Sequence, residues 1–335
     1  MTYPFDGIAM AEASRVGDSG SAASVLRRSQ SDADAAQWRR DHAELNLLLD
    51  AAAALDHGRL AVVECLREHR VTPTDFPLVL DAPFGIDGPT LVELGDLRAL
   101  LLSPAMTQSA MRISDPDRLI VDYTRVMMGF LLLRSAPRRI EMIGLGGGSL
   151  AKFCRRHLPT AAVTVVEIDS RVIALRDRFG VPRDDGHFRV INADGADFVR
   201  EDHGRPDVIL VDGFDARGQA QRLTSLAFYE ACRDRLDDEG VLVVNLCDNL
   251  VARRIAKSRL RRVFGSGIVI VPIEHEQNRQ VFASKHPAFP PRADQLLAAA
   301  AALGSRDGVD FRSLARRLAK RRNAVRAEID PIEST

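Results

Sequence analysis

Two short runs constrain the fold most: Val163-Thr-Val-Val166 and Val208-Ile-Leu-Val211 have almost no polar position between them. A strand with one wet face alternates apolar and polar side chains. A strand apolar on both faces is one that helices cover from both sides, as in a parallel sheet. The surrounding pattern agrees. Strands are predicted at Arg139–Ile143, Ala162–Glu167, Arg189–Asn192, Asp207–Asp212, Gly240–Leu246, Gly267–Pro272 and Gln280–Ser284. Helical spacing falls between them at Leu150–His157, Arg171–Phe179, Leu223–Leu236 and Asn249–Val263, with a further helix ahead at Asp117–Arg134. The expected fold is α/β: a doubly wound, mostly parallel seven-stranded sheet occupying residues 116–287.

The flanks are different. Residues 1–40, rich in Ser, Ala, Asp, Gly and Arg without an apolar period, read as a mobile lead-in. Residues 41–115 read as an N-terminal helix followed by a small β unit, with a hairpin turning at Gly95-Asp96. After Pro290-Pro291, residues 288–335 read as a helical extension, Arg292–Leu303 and Phe311–Val325; the second helix carries Arg312, Arg316, Arg317, Lys320, Arg321, Arg322 and Arg326 on what is expected to be a solvated basic face. The chain has 335 residues, and 46 Lys and Arg balance 46 Asp and Glu, which argues against a general polyanion binder; a nucleic-acid partner is not expected. Cys65, Cys154, Cys232 and Cys247 form no CxxC pair and no metal-spaced cluster, so neither a disulfide scaffold nor a metal site is expected. No secretory leader and no apolar run of membrane-spanning length is visible, giving the expectation of a cytoplasmic protein with no membrane partner.

Candidate chemistry gathers at the predicted strand ends. Between the first strand and its helix lies Gly144-Leu-Gly146-Gly147-Gly148-Ser149, a turn that lets backbone pass close to a ligand. Such folds bind ligands at the carboxyl edge of the sheet. Glu167 closes the next strand, where a carboxylate can accept hydrogen bonds from both ribose hydroxyls. Asp169 is read as a helix cap. Asp194-Gly195 closes the third strand, where an acid can take an adenine amino group or serve as a turn and cap. Asp212-Gly213-Phe214-Asp215 closes the fourth, and two carboxylates there can hold a cationic substrate and accept its proton, unless they form only a turn. This order matches class I S-adenosylmethionine-type folds better than NAD enzymes, since Ser149 stands where the dinucleotide pattern has its third small residue.

From about Pro77 to Lys285 the sequence resembles the spermidine synthase (polyamine aminopropyltransferase) family. The resemblance rests on the β unit, Gln108-Ser109, Tyr123, the glycine turn, the Glu167 and Asp194-Gly195 strand ends, Asp212 with Asp215, and Phe228-Tyr229. It implies a Rossmann-like, methyltransferase-type fold and a transferase of polyamine biosynthesis using decarboxylated S-adenosylmethionine or S-adenosylmethionine as co-substrate, with no metal. By the same resemblance Gln108, Glu167 and Asp194 hold the nucleoside together with the glycines 144, 146, 147, 148 and 195. Asp212 deprotonates the attacking amine, Asp215 helps hold it and Tyr123 lines its pocket. The partner would be a small-molecule amine or other nucleophile, and a homodimer is implied. Two positions depart from the family. Ser149 replaces an acid that grips the aminopropyl ammonium, and Arg125 replaces an acid of a Tyr-His-Glu stretch, which sets a cation beside the expected amine pocket. The alternatives left open are methyl or alkyl transfer from intact S-adenosylmethionine on the same fold, and a non-catalytic nucleoside-binding or interaction protein.

Overall fold

The computed structural model describes residues 36–37, 39–48, 50–51, 78–80, 88–103, 106–215, 218–247, 250–273 and 278–329. The chain divides into two units, 1–39 and 40–335; of the first, residues 36, 37 and 39 are described, and they are helical. The lead-in over 1–35, the helix expected to continue to Arg70 and the Pro/Gly turn over 83–87 lie outside the described residues.

The second unit begins with a helix through 40–48 and an antiparallel meander: β1 (Leu78–Leu80), β2 (Thr90–Leu94), β3 (Leu97–Ser103) and β4 (Met106–Arg112). Gly95 makes the two-residue β2–β3 connection at φ +58°, which a side chain would strain. The strand β4 was not anticipated, since its residues, MTQSAMR, alternate too weakly to signal a strand. Alternation sorts the faces. Val92, Leu94, Ala99, Leu101 and Ala110 pack with Leu45 and Leu48 of the helix, while Leu91, Leu100 and Met111 join the core of the main sheet.

That sheet is built from β5 (Arg139–Ile143), β6 (Ala162–Glu167), β7 (Phe188–Asn192), β8 (Val208–Val211), β11 (Val241–Leu246), β12 (Ile268–Pro272) and β13 (Arg279–Ala283), in the order β12-β13-β11-β8-β5-β6-β7. The five strands from β11 to β7 are mutually parallel, and β13 and β12 add antiparallel at one edge. A small hairpin, β9 (Phe214–Asp215) and β10 (Gly218–Gln219), follows β8. The expected doubly wound sheet is therefore present. Its strands are apolar on both faces because both are covered. Val208, Leu210, Val241 and Val243 lie in one core with α2 (Ser149–His157), α7 (Ala293–Leu303) and α8 (Phe311–Ile329). Ile209, Val211, Leu242 and Val244 lie in the other, with α5 (Leu226–Arg235) and α6 (Leu250–Phe264). One charged pair sits inside: Arg235 forks onto both carboxylate oxygens of Glu141, at 2.9 and 2.7 Å, where both side chains are buried.

Two helices are shorter than expected. The one anticipated from Asp117 begins as α1 (Asp122–Met127) and tightens into a 3-10 turn at Met128–Leu132. Its first turns are lost because the carbonyls of Leu119 and Ile120 accept the guanidinium of Arg125 instead of backbone amides. The helix anticipated over Arg171–Phe179 is α3 (Ser170–Ala174), followed by successive i to i+3 turns; the Phe179 carbonyl is taken by the buried ammonium of Lys152 at 2.7 Å. The remaining helix, α4 (Gly195–Phe198), is a single turn after β7.

Candidate active site

Strand order reverses between β5 and β8, so the chain leaving each strand at that point diverges and opens a crevice. The backbone closes tightly at its floor. Gly144 follows β5 with φ +100°, and a Cβ there would run into the carbonyl oxygen of Asp212 after β8. Only glycine lets these two strand ends lie so close. Gly195 does the same for α4, where a Cβ would strike Ile143.

Above this floor is a cavity of about 900 Å³ whose wall includes Gly144, Gly146, Glu167, Asp194, Gly195, Asp212 and Asp215. A recess of about 20 Å³ adjoins it across Gly144, Gly146 and Asp212 and is lined by Ser109, Tyr123, Thr124 and Ser149. The residues singled out in the sequence thus converge, with three exceptions. Gly147 and Gly148 are on neither wall: a Cβ on Gly147 would meet Ser109 and Phe179, and one on Gly148 would meet Val181, so these two let α2 and its neighbours close up behind the turn. Gln108 lies on β4, and its side chain is outside the described residues.

The carboxylates differ in how they are held. Glu167, 8% exposed, accepts the Leu145 amide at 2.8 Å on Oε2 and the Asp169 amide at 2.9 Å on Oε1, which ties β6 to the glycine turn. Asp169 caps α3 through the Arg171 amide, and the Arg171 guanidinium on the same carboxylate holds its pKa below the usual range. Asp194 is both a cap and a wall residue: it accepts the Ala196 amide at 2.7 Å and pairs with Arg222, which also lines the cavity. Among the described residues, no cation pairs with Asp212. Burial pushes its pKa up to about 6, against the opposing effect of two hydrogen bonds, from Asn245 Nδ2 at 2.8 Å to Oδ1 and from the Tyr123 hydroxyl at 3.1 Å to Oδ2. Ser149 Oγ stands 3.4 Å from Ser109 Oγ at the foot of α2, so the recess is lined by hydroxyls where the family pattern has an acid.

One expectation is overturned. Arg125 does not face the amine side. Its guanidinium turns away, buried, onto the Leu119 carbonyl at 2.6 Å, Asp122 at 3.2 Å and Asp41 at 3.7 Å. Asp41 is fully buried and also pairs with Arg112 and Arg118, so Arg125 belongs to the joint between the N-terminal helix and the sheet. The tyrosine two residues earlier reaches the crevice because α1 turns by about 100° per residue.

Sequence reasoning missed a set of amides beside Asp212. Asn245, 1% exposed in β11, also accepts Gln280 Nε2 at 2.7 Å and Asn278 Nδ2 at 3.0 Å on its Oδ1, and Gln219 Nε2 at 2.6 Å on its backbone carbonyl. The signal was available: Asn245 is the one polar residue of Val241–Leu246, a strand buried throughout.

Comparison with known proteins agrees with this architecture. The family described as "Spermine/spermidine synthase domain" matches residues 120–265. The polyamine aminopropyltransferase of Chromobacterium violaceum is 37% identical over 227 residues, covering 68% of this chain and 87% of that protein. That of Neisseria meningitidis serogroup A is 36% identical over 221 residues, covering 65% and 84%. Two solved structures share the fold. A spermidine synthase in complex with the transition state analogue AdoDATO has a TM-score of 0.57 at 20% identity, covering 72% of this chain and 83% of that one. A probable spermidine synthase from Corynebacterium glutamicum has 0.51 at 19%, covering 72% and 91%. The identity to curated relatives, sustained over most of their length, and the glycine turn with its ordered strand-end acids lead to one assignment: the chain belongs to the spermine/spermidine synthase family.

Proposed function

We propose that the protein transfers the aminopropyl group of decarboxylated S-adenosylmethionine to an amine, with Asp212 as general base. The observation that carries this reading is the meeting, on one cavity, of amide-anchored acids suited to a nucleoside with a desolvated acid suited to taking a proton. The relatives' shared name, polyamine aminopropyltransferase, supports it, and the methyl-transfer and binding-only alternatives are not favoured. Glu167 has each carboxylate oxygen anchored by one amide, with lone pairs to spare for the ribose hydroxyls. Asp194 and Asp215 line the same wall, the first for the base and the second for the amine. Gly144 and Gly146 bound both the cavity and the recess, so a donor lying across them would bring its sulfonium past Asp212, with its alkyl ammonium among the hydroxyls of Ser109, Ser149 and Tyr123.

In the step itself the amine lone pair attacks the carbon next to sulfur, the C–S bond breaks toward sulfur, and methylthioadenosine leaves neutral. Asp212 accepts the proton that the attacking nitrogen must lose. A carboxyl with pKa about 6 is ionised at neutral pH yet is a stronger base than an exposed aspartate. Holding the reactants in line contributes up to about 7–11 kcal/mol in intramolecular analogues, and the base about 10²–10⁴-fold.

The test is release of methylthioadenosine from decarboxylated S-adenosylmethionine with and without a diamine, and release of methylthioadenosine or S-adenosylhomocysteine from the intact donor. Diamine-dependent release from the decarboxylated donor is expected. Release indifferent to the diamine, or turnover of the intact donor alone, would contradict the reading. The family resemblance also implies a homodimer, and the sequence pattern suggests a cytoplasmic setting and divisions at about residues 40, 115 and 287. These stand as proposals alongside the observation that, among the described residues, no helix is long and apolar enough to cross a membrane.

A further inference from the structure

The amide cluster behind Asp212 is ordered by a simple constraint. Asn245 Oδ1 receives two N–H donors, from Gln280 and Asn278. Flipping the Asn245 amide would bring its NH₂ against both donors and its oxygen against the Asp212 carboxylate, so one orientation survives. The far end of the cluster bears the cost: Gln280 is fully buried, and its Oε1 has no hydrogen-bond partner among the described residues. Turning Gln280 over would merely set its oxygen against Asn245 Oδ1. A buried acceptor left unpaired so that the neighbouring amide points correctly is the kind of local conflict that folds keep at working sites.

We propose that Asn245 is the positioning residue for Asp212: Gln280 and Asn278 lock its amide so that Nδ2 always donates to Oδ1, leaving Oδ2, shared with Tyr123, as the oxygen that takes the substrate proton. This rests on the reading of Asp212 as the base. Around Asp212, the titratable or charged groups on neighbouring elements are Tyr123 on α1, Asp215 on β9, Glu167 at the end of β6 and Arg279 beside Asn278 on β13, while Ser109 and Ser149 supply neutral hydroxyls. Among the described residues, the hydrogen bonds to the Asp212 carboxylate come from Asn245 and Tyr123.

A donor to the carboxylate favours its ionised form, so removing it raises the pH at which Asp212 gives up its proton. Two variants test this. Asn245→Leu removes the donor at similar volume. Gln280→Met removes one lock and the orphaned oxygen together, and keeps the question open to measurement if the first variant fails to fold. The acid limb of kcat/KM is expected near pH 6 in the wild type, at about pH 7 in Asn245→Leu, and between the two in Gln280→Met. The Asp212 carboxyl titration, followed by ¹³C NMR with Asp212→Asn as the assignment blank, reads the same quantity without turnover. Midpoints that coincide with the wild type in both variants would overturn the proposal, whatever happens to kcat. An inactive wild type whose NMR midpoints still move as stated would instead overturn the function proposed above and leave Asn245's hold on Asp212 standing.

Discussion

The two ends of the crevice use the same residue for opposite work. Asp169, on the rim, is wrapped by the Arg171 guanidinium and amide, which hold its pKa below the usual range. Asp212, on the floor, has neutral partners among the described residues, a tyrosine hydroxyl and an asparagine amide, and burial lifts it to about 6. Neither value follows from the residue type; both follow from what surrounds it. The rim is broad, and Arg171, Arg222 and backbone amides fix its acids in place while leaving carboxylate lone pairs over, which suits recognition of a polar nucleoside. The floor is narrow and desolvated, which suits a group that must change protonation state during the reaction.

The comparison can be broken at its strongest point first. Asp212→Asn should lower turnover by about 10²–10⁴-fold, measured as amine-dependent methylthioadenosine release. In Gly144→Ala, the added methyl group has to push the Asp212 carbonyl away from a backbone at φ +100°, costing about 1–3 kcal/mol of stability. A lower melting temperature together with a drop in kcat would show that the strand-end contact positions the base; a lower melting temperature with kcat intact would separate the two. Ser149→Asp sharpens the contrast by adding a second carboxylate near Asp212. It should lower KM for the decarboxylated donor by roughly 3–10-fold, and the new like charge should push the Asp212 acid limb upward, so that more activity is lost as pH falls. Arg125→Ala should have the smallest catalytic effect: because the side chain faces Asp41 and Leu119, melting temperature falls while KM for the amine stays as in the wild type.

Much of this was legible in the sequence because the governing signals are local. Strands apolar on both faces announce a covered sheet, and Gly144 and Gly195 announce close contacts, with the Asp212 backbone and the Ile143 side chain, that no Cβ would survive. Strand-end acids at Glu167, Asp194 and Asp212 fall on one cavity because a parallel sheet sends all its carboxyl ends to one edge. What escaped depends on direction rather than identity. Arg125 is expected beside the amine because it stands where the resembling family has the acid of Tyr-His-Glu, yet two residues past Tyr123 on a helix the side chain has turned through about 200°, toward the buried Asp41. Gly147 and Gly148 look like ligand glycines and instead make room for Phe179 and Val181. Asn245 and Gln280 come together across an antiparallel pair, β11 with β13, whose register cannot be read from either strand alone.

The division of labour between rim and floor is tested most directly by calorimetric titration of methylthioadenosine into wild type, Glu167→Gln and Asp212→Asn. A carboxylate that binds ribose hydroxyls and one that only moves a proton should separate cleanly. Affinity is predicted to fall by about 10–100-fold in Glu167→Gln and to stay close to wild type in Asp212→Asn. Equal losses in both variants, or full affinity in Glu167→Gln, would contradict it.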